Sequence, residues 1–232
     1  MLSKEEYLEE IEQIIVDGDE EEAAAVVAEA LEAGISAFDI LNDGLMMGAK
    51  TVGRLFETGE LFLPELMMTG RALKAAMALI TPVLQAEFAG NMADSDTGVV
   101  VMATVQTDIH DIGKNIVSSM LVATGFEVVD LGVDVPIKSI IAKAKEVNAN
   151  IIGCSALLTT SMPFMRDLVD LLKAMGERDR FKVMVGGASV TPLFAEKIGA
   201  DGTAPNAMEA VQLAKRLIRE QRQQQAWGSK LC

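Results

Sequence analysis

The sequence predicts a helical bundle followed by a doubly wound α/β domain, an α plus α/β fold. Three observations carry this prediction. Strong helix formers dominate residues 1 to about 88, and from Val99 onward short β-branched runs alternate with amphipathic stretches. Between Gln85 and Gly98 the chain turns polar and small (AEFAGNMADSDTG), the composition of a connection between domains. We therefore expect a helical domain over 1–88, a linker over 89–97 and an α/β domain over 98–232, with Ala86–Thr97 as the natural hinge. A chain of 232 residues, half of them hydrophobic, has material for two cores.

In the first half, breaks at Gly18–Asp19, Gly34–Ile35–Ser36 and Thr58–Gly59 predict about four helices. Asp19 followed by Glu20, Glu21 and Glu22 suits a capped, dipole-stabilised N-terminus for the helix over Glu20–Ala33. In the second half VVVMAT, FEVVDL, NIIGCS and KVMVGG read as four strands, with a short fifth near Ala200–Thr203 and a helix over Pro205–Gln223. Apolar strands alternating with helices predict a five-stranded parallel sheet, flavodoxin-like or Rossmann-like, covered on both faces and joined by right-handed crossovers. Gln221–Cys232, rich in Gln, reads as a frayed helix end and tail.

Composition excludes several classes. A formal charge of −14 repels phosphate backbones and argues against nucleic acid. No apolar run approaches the roughly 20 residues of a membrane span, and MLSKEEYLEE is too acidic for a signal peptide, so the expected location is the cytoplasm. Two cysteines, Cys154 and Cys232, fit neither a zinc site nor a disulfide framework. The fourteen methionines fit core packing, where Met fills irregular gaps.

In a doubly wound sheet, ligands bind at the carboxyl ends of the strands where strand order reverses, so the loops there are the ones to inspect. The first holds Asp108-Ile109-His110-Asp111-Ile112-Gly113-Lys114-Asn115 and contains the only histidine. At a spacing of two residues, Asp108 can accept the N–H of one imidazole nitrogen while the other faces a metal. Lys114 does not make this a phosphate loop: Asp108 stands where a glycine is required, and no Ser or Thr follows the lysine. GxGxxG is absent too. After the third strand comes the hydroxyl-rich Ser155–Ser161 ahead of a helix near Met162, and after the fourth Gly186-Gly187-Ala188, which permits close backbone approach. A receiver domain would need a carboxylate where Ser155 stands.

Together, DxHxxG after strand one, SxL after strand three and GG after strand four resemble the B12-binding family, in particular the cobalamin-binding region of methionine synthase and the small corrinoid proteins of anaerobic methyltransferase systems. The likeness covers nearly the whole chain, because Arg54-Leu55-Phe56-Glu57-Thr58-Gly59-Glu60-Leu61-Phe62-Leu63-Pro64 resembles the cap domain of those proteins. The resemblance implies cobalamin or a related corrinoid as cofactor, with His110 as lower axial ligand of cobalt and Asp108, then Ser161, as a proton relay behind it. It further implies that Asp111 and Ile112 belong to the cofactor site. Gly113, Ser155, Leu157, Thr159, Gly186 and Gly187 would line the slot for the nucleotide tail, and Phe56 and Leu63 would form an apolar cap over the methyl group. A substrate-specific methyltransferase and a second corrinoid-dependent methyltransferase are the implied partners, with a reductive activase beside them. The donor would be a methylamine, a betaine, methanol or an aryl methyl ether. The chain by itself would be a carrier without a complete active site. The alternative is the cobalamin module of a mutase, which needs a separate barrel, or of a B12-dependent regulator, which needs a DNA-binding domain.

Overall fold

A computed structural model describes residues 2–89 and 96–228, divided into two compact units, 1–87 and 88–232. The first unit is helical, as expected. Helix α1 (Lys4–Asp17) opens with a capping box in which the Ser3 hydroxyl accepts the Glu6 N–H and the Glu6 carboxylate accepts the Ser3 N–H. It stops at Gly18, whose φ of 74° is left-handed. Asp19 caps α2 (Glu20–Glu32) through the Glu22 N–H. Helix α3 (Ala37–Asp39) passes through a π-helical stretch, Ile40–Leu45, into α4 (Met46–Glu57), so the three together form one interrupted third helix. The fourth, α5, spans Leu63–Ala89. All three breaks read from glycines and caps fall between helices.

The core of this unit is built from Ile11, Ile15, Val27, Ala30, Ile40 and Leu45, all fully or almost fully buried. Close approach of α4 to α1 depends on Gly48, where an added Cβ would lie 2.7 Å from Ile15 Cβ and 2.8 Å from the Glu12 carbonyl oxygen. The expected linker falls largely on residues 90–95, outside the described residues; α5 itself continues through Ala89, past the expected start of the hinge.

The second unit is a parallel sheet of four strands, β1 (Val99–Thr104), β2 (Glu127–Asp130), β3 (Ile151–Ser155) and β4 (Lys182–Gly186), in the order β2-β1-β3-β4. Val101 pairs with Val129 and Ile152, and Cys154 with Val185. The central strands β1 and β3 are almost wholly buried, which is why they read as continuous apolar runs. Helices α6 (Ile112–Ala123), α7 (Ile137–Glu146), α8 (Met162–Ala174), α9 (Pro192–Ile198) and α10 (Ala207–Gly228) complete the layers. The side of the core that holds α7 and α8 includes Val101, Ile140, Ile152, Leu168, Val183 and Phe181.

Two expectations are corrected. The fifth strand is reduced to a single parallel bridge between Gly202 and Met184. Two backbone bonds form it, from the Asp201 N–H to the Val183 carbonyl and from the Val185 N–H to the Gly202 carbonyl, and the ladder goes no further because the Asp201 carboxylate accepts the Val183 N–H together with the Arg178 guanidinium. The C-terminal helix also runs further than expected, to Gly228, and Gln221 is buried rather than part of a tail. Its side-chain amide accepts from Asn150 and donates to the Arg180 carbonyl.

Candidate functional site

Strand order reverses between β1 and β3, since β2 lies on one side of β1 and the later strands on the other. The loops after β1 and β3 therefore leave the sheet in opposite directions and open a crevice at its carboxyl edge. Asp108 joins the two. Its Oδ1 accepts the His110 backbone N–H at 3.1 Å and lies 2.7 Å from His110 Nδ1, while Oδ2 accepts the Leu157 and Leu158 N–H groups at 2.8 and 3.0 Å. The side chain is completely buried. Burial alone would push its carboxyl up, but the hydrogen bonds from Leu158, His110 and Leu157 outweigh it and hold the group below its ordinary value.

An ionised carboxylate only accepts, so Nδ1 of His110 carries the hydrogen, and in the neutral ring Nε2 is then the nitrogen with the free lone pair. The imidazole is 47% exposed, and the Thr104 hydroxyl anchors the same residue by donating to the His110 carbonyl at 2.9 Å. The arrangement is a directed, oriented nitrogen donor backed by a buried charge, the usual support of a metal-bound histidine.

Ser161 is fully buried at the start of α8 but does not cap it. Its hydroxyl lies 3.1 Å from Thr107 Oγ1, so the partner of Ser161 is Thr107, and Asp108 takes its bonds from elsewhere. Asp111 accepts from the Asn115 amide, and Lys114, the lysine of the rejected phosphate loop, is buried in an ion pair with Asp130 and donates to Asn115 at 2.7 Å. That network ties the far end of the histidine loop to the end of β2. Ile112 and Gly113 open α6, Ser155 ends β3, and Leu157 and Thr159 are exposed beyond it.

Gly186 and Gly187 draw the β4 loop against that of β3. The Ala156 N–H donates to the Gly186 carbonyl, and a Cβ on Gly187, at φ 132°, would fall 1.9 Å from the Ala156 carbonyl oxygen. A Cβ on Gly113 or Gly186 would meet nothing within 4 Å, so both border open space. In the helical unit, Phe56 (42% exposed) and Leu63 (61%) lie on its surface with Phe62 and Met67, an apolar group that the unit's own core does not use.

These residues fit a corrinoid. Among the described residues no three of His, Cys, Asp and Glu gather into a metal cage. A metal at His110 would thus have one protein ligand and bring its other ligands with it, as a macrocycle does. Gly113 and Gly186 place no side chain beside it, and a Cβ at either would meet nothing within 4 Å.

Sequence reasoning found Asp108 and His110 through their spacing. It missed Thr107, Asp134, Asp130 and the structural use of Lys114. The only available signal was LGVDVP after strand two, a polar residue within an apolar loop.

Comparison with known proteins finds two family models along the chain. One family described as a B12 binding domain matches residues 98–212, and a second of the same description matches residues 7–81. A dimethylamine corrinoid protein of Methanosarcina acetivorans is 49% identical over 94% of this chain and 99% of its own length. The structure of a monomethylamine corrinoid protein of Methanosarcina barkeri is similar with a TM-score of 0.84 and 39% identity, covering 93% of this chain and all of that one. A chain in a methanol:cobalamin methyltransferase complex of the same organism matches with a TM-score of 0.50 and 30% identity, covering 92% of this chain and 80% of that one.

Proposed function

We propose a methyl carrier: this chain belongs to the B12-binding family and a corrinoid is its cofactor, and we assign it the transfer of a methyl group between two methyltransferases. The observation that carries the reading is the His110–Asp108 pair, an oriented imidazole on a buried carboxylate at the strand-order reversal. When bound, the cofactor supplies a cobalt that takes up and gives up the methyl group. His110 Nε2 is the proposed lower ligand. Asp108 would keep the hydrogen on Nδ1, leaving Nε2 to hold the cobalt, and its buried charge would favour a ring that carries a proton when free of the metal. Ser161 is the proposed outer member of the relay, although its hydroxyl pairs with Thr107 and makes no bond to the Asp108 carboxylate.

Residues 98–232 form the proposed corrinoid domain, 89–97 the linker and 1–88 the cap. Gly113, Ser155, Leu157, Thr159, Gly186 and Gly187 are the proposed lining of the tail slot, with Asp111 and Ile112 beside them. Phe56 and Leu63, both exposed on the helical unit, are the proposed apolar cap residues. The proposed partners are a substrate-specific methyltransferase, a second corrinoid-dependent methyltransferase and a reductive activase. A methylamine is the proposed donor class, supported by the likeness to dimethylamine and monomethylamine corrinoid proteins. The cytoplasm is the proposed location. Among the described residues Cys154 is a buried free thiol, and no helix is long and apolar enough to cross a membrane.

His110→Ala tests the ligand. The variant is expected to bind cobalamin but to lose the visible spectrum of histidine-ligated cobalt(III); an unchanged spectrum rules the assignment out. Donor class is tested by offering the reduced, loaded protein mono-, di- and trimethylamine or methanol, each with its methyltransferase. Methylation from methanol alone would overturn the amine assignment.

A further inference from the structure

Thr107 and Asp134 flank Asp108 on neighbouring loops, and both are non-glycine residues with left-handed backbone, φ 69° and 53°. Thr107 is the third residue of a turn closed by the Asp108 N–H on the Val105 carbonyl at 3.2 Å, a place where positive φ ordinarily brings glycine. A β-branched residue in that conformation is strained and persists only where its surroundings over-determine it. Here they do. The Thr107 N–H donates to Asp134 Oδ1 at 2.7 Å, the Asp134 N–H donates back to the Asp108 carbonyl at 2.9 Å, and the Thr107 hydroxyl pairs with buried Ser161 at 3.1 Å. Gln106 adds another tie by accepting the Ile137 N–H at 3.4 Å. The backbone that carries the Asp108 carboxylate is thus gripped from the β2–α7 loop on one side and from the start of α8 on the other.

We propose that Asp134 is a positioning residue for cofactor ligation. Through this reciprocal clamp it fixes the Thr107–Asp108 backbone, so that the carboxylate holds His110 as a single Nδ1–H tautomer before the corrinoid arrives. The inference rests on the reading of His110 as the cobalt ligand. Its physical benefit is preorganisation: a ring that is already oriented loses less freedom on ligation.

The chain contains one histidine, so nitrogen NMR of the isotope-labelled apo-protein reports His110 alone. Asp134 is exposed, and its replacement leaves the core untouched. Asp134→Gly removes the acceptor while glycine adopts the same φ freely; in Asp134→Asn the amide oxygen accepts the same N–H. In the wild type and Asp134→Asn we expect one Nδ1–H tautomer and equal cobalamin affinity. In Asp134→Gly we expect a mixture of tautomers and a Kd about tenfold higher, the equivalent of about 1.4 kcal/mol. A purely structural role would lower the melting temperature without changing the tautomer. A single Nδ1–H tautomer in Asp134→Gly overturns the proposal, as does its loss in Asp134→Asn. The apo-protein readout involves no cobalt, so an unchanged spectrum in His110→Ala would defeat the ligand assignment and leave the tautomer result standing.

Discussion

Asparagine at position 108 would replace one carboxylate oxygen with an NH2 group. That group would face either the Leu157 and Leu158 N–H donors or the ring and backbone N–H of His110. Whichever way the amide turns, donors that bonded a buried carboxylate lose their acceptor, so Asp108→Asn is expected to destabilise the apo-protein by about 2 kcal/mol in urea denaturation. The pH dependence follows from the same bonds. The folded carboxyl lies below its ordinary value, whereas the unfolded one titrates near pH ~3.9, so its stabilising effect is present above about pH 4 and is lost as pH falls through the folded pKa. Denaturation at pH 7 and pH 3 should therefore show a larger loss in the wild type than in Asp108→Asn. The His110–Asp108 contact was legible because two residues of loop suffice to make it. The bonds from Leu157 and Leu158, some fifty positions away, were not, since sheet topology brings them to Asp108.

Two glycines separate packing from ligand space at the scale of the elements. In Gly187→Ala the new Cβ would meet the Ala156 carbonyl at 1.9 Å from a backbone that L side chains rarely adopt. A loss of about 3 kcal/mol in unfolding free energy is expected, together with weaker cobalamin binding as the β3 and β4 loops part. Gly113→Ala has the opposite profile. Its Cβ enters open space in the first turn of α6, so the apo-protein should gain about 0.5 kcal/mol from helix propensity. Cobalamin affinity should nevertheless fall, as titration of the apo-protein would measure, because the tail slot is narrowed. Helix limits were readable wherever a local device sets them, as at Ser3, Gly18 and Asp19. The fifth strand was not, because Asp201 takes up the Val183 N–H and ends the ladder after one bridge, a competition that no local pattern records.

Over the whole molecule, the two units have separate cores, and the acidic excess is concentrated in the first, where only Lys4, Lys50, Arg54, Arg71 and Lys74 are basic among residues 1–87. Cobalamin at about 100 times its Kd should stabilise the α/β unit by about 2.7 kcal/mol and raise its calorimetric transition. Gly48→Ala should instead lower the transition of the helical unit, through its clash with Ile15 and Glu12.

By itself the sequence determined the change from helical to alternating periodicity, the breaks between helices and the Asp108–His110 pairing. Each of these depends on neighbours a few residues apart, and local physics suffices for them. Only the tertiary structure decided that β3 would lie beside β1, that the Leu157 and Leu158 N–H groups would meet Asp108, that Ser161 would pair with Thr107, and that Asp134 would grip the turn before Asp108. Those contacts join residues far apart in the chain, and their geometry is set by how strands order and loops diverge at the sheet edge, which periodicity does not encode.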